Sequence, residues 1–178
     1  RPRKTQYDGA ALAFASVAGM ENPQWAAAAA RVEQALAERG SAAQPVATNG
    51  SARTAAEAAQ TLGCEVGAIG NSLVFMADGE PLLVITSGAH RVDTAALARR
   101  LGKQRIKRAT PDQVREATGQ EIGGVAPVGH PAPVETVIDR HLGGYPEVWV
   151  AAGTPYTVFR TALAELVRLT GGTVVQVD

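Results

Sequence analysis

A nine-residue stretch, residues 122–130, constrains this chain more than any other segment; it reads Ile-Gly-Gly-Val-Ala-Pro-Val-Gly-His. Three glycines and a proline so close together are incompatible with a regular helix or a regular strand. The stretch has no Ser, Asn or Asp, and His130 is its only side chain that can carry a charge, so it also differs from a solvated linker. Val125 and Val128 can anchor it to a core, while the glycines bring main-chain N–H groups close to a ligand. The stretch therefore predicts either a tight connecting loop or a ligand-binding backbone surface.

The charge balance limits the partners that the chain can bind. Its 178 residues, enough for a single domain with a core, include 17 Lys and Arg against 17 Asp and Glu. Strong non-specific binding to nucleic acid needs a basic face, so a nucleic-acid partner would have to be bound locally or presented by another protein. The one basic cluster is Lys103, Arg105, Lys107 and Arg108. We interpret it as a solvated edge strand, and as the best candidate for a phosphate contact.

Cysteine and histidine usage argues against disulfides and metals. The single Cys64 excludes an internal disulfide and a cysteine-based metal cluster, and we expect it to be a small buried residue. His90, His130 and His141 lack the spacing of metal ligands, so we expect no metal and no cofactor. No apolar run approaches the roughly 18 residues of a membrane span, so no membrane partner is expected. These features predict a cytoplasmic protein.

The first 19 residues differ from the rest of the chain. Three basic residues precede a mildly apolar run at residues 10–18, and Met20 is followed at once by a helix start at Asn22 and Pro23. We therefore predict an N-terminal extension, residues 1–19, that is disordered or loosely docked. Residues 20–178 are predicted to form a single domain.

Local signals predict a mixed α/β fold. Capping residues and glycine stops predict helices over residues 22–40, 54–63, 93–102, 110–119 and 161–171. Apolar runs predict strands over residues 44–48, 72–77, 81–86, 105–108, 134–138, 148–152 and 173–177. Asp78-Gly79, between the second and third of these strands, is the strongest hairpin signal. The expected architecture is a curled, barrel-like mixed β-sheet of six to seven strands surrounded by helices.

Five segments carry a resemblance to a known family. They are IGNSLVF from Ile69, TSGAHRVD from Thr86, TGQEIGGVAP from Thr118, TVID from Thr136 and WVAAGTP from Trp149. In this order, and with Gly123-x-x-x-Pro127 as a glycine loop, they resemble the YbaK and prolyl-tRNA synthetase-associated family of editing domains, which hydrolyse mischarged aminoacyl-tRNA. The resemblance covers about residues 54–178. It implies a curled mixed sheet, outer helices and a ligand cleft walled by the glycine loop.

The resemblance also implies a reaction, hydrolysis of the ester that joins an amino acid to the 3′ end of tRNA. Because this ester is already activated, orienting it and stabilising charge on its carbonyl oxygen can suffice without a metal. N–H groups around Gly123 and Gly124 would bind the carbonyl or the terminal ribose, and Gly129 would admit the adenosine. The implied partners are the acceptor end of aminoacyl-tRNA and an aminoacyl-tRNA synthetase.

The chain departs from the family at Asn71. Editing members carry a lysine at this position, two residues after the isoleucine of the first segment. Asn offers neutral donors and an acceptor instead of a positive charge, and loss of one stabilising donor can cost ~10²–10³ in rate. Asn71 therefore indicates a changed substrate or mechanism, a domain that binds without hydrolysing, or a turn residue before a strand.

The other candidate site residues each have a structural alternative. The predicted substrate contacts are Ser72, Val125, Pro127, Gly129, His130, Asp139, Gly153 and Thr154. Ser72 is a substrate contact or a polar strand residue. His130 is a proton shuttle or a loop histidine bound to a main-chain group, and Asp139 orders the cleft or caps the following segment.

The main functional prediction is an aminoacyl-tRNA deacylase acting in trans, which removes a small amino acid wrongly attached to tRNA, by family analogy the proline tRNA. The alternative is a non-catalytic module that binds aminoacyl-tRNA or a nucleotide and partners a synthetase. A third class is a hydrolase of another activated amino-acid ester. In each case a bulkier residue at Gly123 or Gly124 is expected to block the ligand without disturbing the fold.

Overall fold

The computed structural model describes residues 15–17, 20–48 and 54–178. Most of the predicted extension thus lies outside the described residues. Within it, strand β1 (Ala15–Ser16) pairs antiparallel with β2 (Val46–Ala47), and Val17 is buried. Residues 15–17 therefore lie at the sheet edge, and the prediction for the extension as a whole stays a prediction.

Nine strands form one mixed sheet in the described part of the chain. The remaining seven are β3 (Ile69–Ala77), β4 (Glu80–Ser87), β5 (Ile106–Arg108), β6 (Glu135–Asp139), β7 (Val148–Ala151), β8 (Thr157–Thr161) and β9 (Thr173–Val175). The strand order is β1-β2-β8-β7-β3-β4-β6-β9, with β5 paired to β3 off this path. The path is open, so the sheet is not a closed barrel. The predicted count of six to seven strands was too low because β1 and β8 were not identified.

Five α-helices surround the sheet in the described residues, where the sequence predicts them. They are α1 (Pro23–Glu38), α2 (Ala55–Leu62), α3 (Thr94–Leu101), α4 (Pro111–Thr118) and α5 (Leu163–Thr170). Asn22, Thr54, Asp93 and Thr110 each accept a hydrogen bond from a first-turn N–H, as their capping roles require. The fifth helix begins later than predicted, because Thr161 ends β8 and Ala162 precedes the helix.

The predicted hairpin is confirmed at β3–β4. Asp78 and Gly79 have φ of 51° and 85°, the left-handed conformations that a two-residue type I′ turn needs. The Asp78 carboxylate accepts hydrogen bonds from the backbone N–H groups of Gln104 and Arg105. These bonds lower the pKa of Asp78 and connect the turn to the residues just before β5. The hairpin thereby holds β5 against the turn end of β3, at residues 75–77.

The core lies on both faces of β4. Residues 82–85 of this strand are fully buried, as expected for a central strand covered on two sides. The odd-numbered residues of the run pack with α1 and α5, and the even-numbered ones pack with Leu97 of α3. None of the helices in the described residues is long and apolar enough to cross a membrane.

Candidate functional site

A cleft lies at the beginning of β3, opposite the hairpin end of that strand. Its walls are one face of α2, the first residues of β3, the adjoining parts of β7 and β8, and the first part of the glycine loop at Gly123 and Val125. Apolar wall residues include Ala58, Leu62, Val125 and Val150, and the polar ones include Asn71, Ser72 and Thr154. The cleft thus combines an apolar lining with a few neutral polar groups, an arrangement typical of small-ligand sites.

Asn71 lies inside β3 and faces the cleft. It pairs with Thr86 in the β3–β4 ladder, so the interpretation of Asn71 as a turn residue is wrong. The residue is exposed and lines the cleft. Gly70, just before it, allows β3 to approach β7 closely, because a Cβ there would lie 2.7 Å from a methyl carbon of Val150. Glycine at position 70 therefore permits the close pairing of β3 with β7 immediately before Asn71.

Ser72 adds a hydroxyl with an unsatisfied hydrogen-bonding capacity. Its Oγ is buried and has no hydrogen-bond partner among the described residues, although the residue lines the cleft. A buried polar group without a partner costs roughly 1–3 kcal/mol.

The two glycines at the start of the loop occupy different environments. Gly123 has φ of +90° and lines the cleft, and no heavy atom lies within 4 Å of the position of an added Cβ. Gly124 is buried against Thr154, whose backbone atoms would lie 2.5–2.8 Å from a Cβ. Its N–H donates to the Glu121 carbonyl, and its carbonyl accepts from Gly153. Gly124 thus fastens the loop to the 153–155 segment, and Gly123 is the glycine that faces ligand space.

The loop is held by Gln120, a residue that sequence reasoning did not single out. Gln120 is 4% exposed; its Oε1 accepts from the Ala126 N–H at 2.7 Å and its Nε2 donates to the Val128 carbonyl at 3.2 Å. One side-chain amide therefore satisfies both a buried donor and a buried acceptor of the loop backbone. The only sequence signal was its position within the Thr118 segment.

Replacing Gln120 with leucine is expected to lower the free energy of unfolding by about 2 kcal/mol or more, because two buried backbone groups lose their partner. Gln34→Leu is the matched control, since Gln34 is exposed on α1 and its side chain donates to the exposed Glu38. Its expected effect is within about 0.5 kcal/mol. Urea denaturation of both variants checks this, and equal stabilities would show that Gln120 does not hold the loop.

The second half of the loop faces away from Asn71. Pro127, Gly129 and His130 line a separate depression together with Arg39 and Thr136. The His130 Nε2 donates to the Ala126 carbonyl at 2.8 Å, which agrees with the interpretation of a loop histidine bound to the main chain. Burial lowers the pKa of His130, so its imidazole is neutral near pH 7. The structure does not bring these three residues into the cleft.

The lowered pKa of His130 predicts that acid weakens the fold through this residue. The unfolded state binds a proton near pH 6.5 and the folded state resists it, so stability falls as the pH drops below about 6.5. His130→Gln keeps a donor for the Ala126 carbonyl but does not titrate. Between pH 7 and pH 5 we expect the urea midpoint of the wild type to fall further than that of the variant. Parallel curves for the two proteins would contradict this.

Asp139 lies neither in the cleft nor in the depression lined by His130. It is 1% exposed and ends β6, where its Oδ2 accepts from the Ser87 N–H and from His90 Nδ1, both at 2.9 Å. Its Oδ1 accepts from the His141 N–H at 3.0 Å, as a cap of the 3₁₀ turn Arg140–Gly144. Asp139 thus fixes the end of β4 and the start of this turn, and it does not line the cleft.

Of the two predicted substrate contacts Gly153 and Thr154, Thr154 is the one that lines the cleft. Gly153 has φ of +101° and packs against α1, where a Cβ would lie 3.0 Å from Val32. The Thr154 side chain is buried; its Oγ1 lies 2.8 Å from Oγ1 of Thr157 and accepts from the Tyr156 N–H. Thr154 lines the cleft, and Gly153 lies behind it.

The cleft has no acid or base among its described lining residues. In the same part of the chain, no group of three or more His, Cys, Asp or Glu side chains is placed to hold a metal ion. The chemistry that these lining residues can supply is therefore hydrogen bonding from neutral side chains and main-chain groups. Such a site can orient a reactive ester and stabilise charge on its oxygen.

The fold and the site define a class of protein, namely a mixed α/β domain whose ligand cleft is walled by a glycine loop. The model of the aminoacyl-tRNA editing domain family matches residues 49–169. The chain belongs to this family.

Two curated relatives are similar to part of this chain. The chain is 29% identical to the proline–tRNA ligase of Levilactobacillus brevis over 61% of this chain and 19% of that enzyme. It is 30% identical to the protein YwhH of Bacillus subtilis over 65% of this chain and 74% of YwhH. The chain thus spans about a fifth of the length of the ligase.

Solved structures share most of this fold. One, of a protein proposed to be a trans-editing enzyme for prolyl tRNA synthetase, superposes with a TM-score of 0.81 at 44% identity, covering 89% of this chain and 99% of the other. The hypothetical protein APE2540 gives a TM-score of 0.76 at 30% identity, covering 83% and 98%.

Proposed function

We propose that this protein is an aminoacyl-tRNA deacylase acting in trans, which hydrolyses the ester of a small amino acid wrongly attached to tRNA, with the proline tRNA as the favoured substrate. The observation that carries the proposal is that Gly123, Asn71 and Ser72 line one cleft, with the Asn71 side chain exposed there. Membership of the editing-domain family supports the reaction class, and the likeness to a proposed trans-editing enzyme for prolyl tRNA synthetase supports the tRNA.

The proposed reaction uses neutral groups. Water adds to the ester carbonyl, the bond to the ribose oxygen breaks, and the free amino acid and the tRNA hydroxyl are released. The Asn71 amide supplies a donor for the carbonyl oxygen or the ribose, and Gly123 leaves room for the ester beside the backbone. Because the ester is activated, positioning it can supply much of the rate.

The second candidate function is a module that binds the aminoacyl-adenosine end without hydrolysing it and partners a synthetase. One observation favours it, since Asn71 stands where editing members carry a lysine, and the described cleft residues include no side chain with a positive charge. Such a module would bind the same ligand in the same cleft.

The deciding experiment is deacylation of a panel of mischarged tRNAs by the purified full chain. The deacylase is supported if a small amino acid is released from mischarged proline tRNA faster than proline is released from the correctly charged tRNA. If no tRNA is deacylated but a non-hydrolysable aminoacyl-adenosine analogue binds, the binding module is supported instead.

A further inference from the structure

A second groove begins where the cleft ends. Pro155 lines both, and the far side of the same wall is formed by Gly153 and by residues 119–121, which lead into the glycine loop. The remaining sides are the first turns of α1 and the end of α4. A chain whose last unit occupies the cleft can therefore leave it over Pro155 and continue directly into this groove.

The groove carries groups that bind a single-stranded nucleic acid. Arg31 on α1 and Arg115 on α4 are exposed and line it, and Trp25 presents a half-buried ring that lies 4.6 Å from the ring of Tyr156. Arg115 pairs with Asp112 at 3.2 Å, an exposed pair of the kind that contributes little and can exchange for a phosphate. Aromatic rings for base stacking and guanidinium groups for phosphates are the usual pair of features in such sites.

We infer that this groove holds the single-stranded 3′ segment of an RNA, with phosphates at Arg31 and Arg115 and a base against Trp25. The inference rests on the proposed function, because it takes the terminal aminoacyl-nucleoside to lie in the cleft. Local binding of this kind suits a chain with equal numbers of basic and acidic residues, which lacks the charge for a broad electrostatic surface. Glu121 adds one carboxylate to the rim, so the groove as a whole attracts phosphate only weakly. Binding there depends on the position of each phosphate relative to the two arginines.

The basic cluster on β5 does not serve this path. β5 pairs with residues 75–77, at the hairpin end of β3, and Asn71 lies four residues before Phe75. At roughly 3.3 Å per strand residue, that is about 13 Å along the strand. The β5 cluster is therefore a matched control, because it offers exposed positive charges away from the cleft.

The test compares two double variants of the full chain, Arg31→Gln/Arg115→Gln and Arg105→Gln/Lys107→Gln. Each removes two exposed positive charges. Both are measured for binding of uncharged tRNA and of a single-stranded RNA ending in CCA, over a range of salt concentrations. We expect the first to bind more weakly than the control double variant, with a slope of log K against log salt reduced by about 0.7 for each phosphate that is no longer neutralised. Trp25→Leu should weaken binding of the same RNA, and Trp25→Phe should keep most of it.

A second readout separates the groove from the cleft. For a mischarged tRNA, the groove variants should raise KM, whereas for aminoacyl-adenosine, which reaches only the cleft, kcat/KM should stay at the wild-type value. Equal RNA binding by the two double variants, or no RNA binding by the wild type even at low salt, overturns the inference. Because RNA binding needs no turnover, a catalytically inactive wild type that still binds RNA through Arg31 and Arg115 would refute the deacylase and leave the groove standing.

Discussion

Replacing Asn71 with alanine is expected to lower kcat/KM for deacylation about 10²-fold, the cost of removing one preorganised donor from such a site. Asn71 is exposed within β3, so the melting temperature should not change measurably. Single-turnover deacylation of mischarged proline tRNA, together with thermal unfolding, checks both parts. Unchanged activity in Asn71→Ala would remove Asn71 from the site.

Asn71→Lys sharpens this test. Because the position is exposed, an ammonium there stays solvated and should not cost stability. Faster deacylation with lysine than with asparagine would mean that a charge-assisted contact has been restored. Activity that is lost in both variants would mean that the Asn71 amide itself orients the substrate. Inactivity of all three proteins, with binding of an aminoacyl-adenosine analogue retained, would leave the binding module.

Gly123→Ala is expected to reduce ligand binding and turnover tenfold or more, roughly 1.4 kcal/mol, because its methyl group enters the space beside the ester. The variant also carries backbone strain, since φ is +90°. Gly79→Ala is the matched control, because Gly79 has φ of +85° and no heavy atom within 4 Å of its Cβ position, but lies in the hairpin turn. Both variants should lose about 1–2 kcal/mol of stability.

Only Gly123→Ala should lose activity. Aminoacyl-adenosine binding and deacylation are measured at a temperature where both variants are folded. These measurements distinguish an effect of backbone strain from an effect of the methyl group in the ligand space. Equal activity in the two variants would show that the space beside Gly123 is not used by the ligand. Gly124 cannot serve for this test, because a side chain there would collide with the Thr154 backbone and disturb the fold, contrary to the expectation from sequence.

Features that depend on a few neighbouring residues were predictable from the sequence. The caps at Asn22, Thr54, Asp93 and Thr110 bond to N–H groups within three residues, and the Asp78-Gly79 turn needs only its own two left-handed conformations. β8 was not identified because Thr161 resembles a helix cap, and the strand is defined by its pairing with β7. Whether a segment forms a strand depends on the strand with which it pairs. The local sequence pattern therefore predicts strands less well than it predicts helix caps and turns.

The sequence by itself determined the family, the mixed α/β class and the boundaries of the first four helices. Only the tertiary structure divided the loop, placing Gly123 and Val125 in the cleft and Pro127, Gly129 and His130 on another surface. It also made Gln120 the support of the loop and brought Arg31 and Arg115 to one groove from separate helices. The physical reason is that capping and turn formation are local, whereas the direction that each loop residue faces depends on which distant elements pack against it.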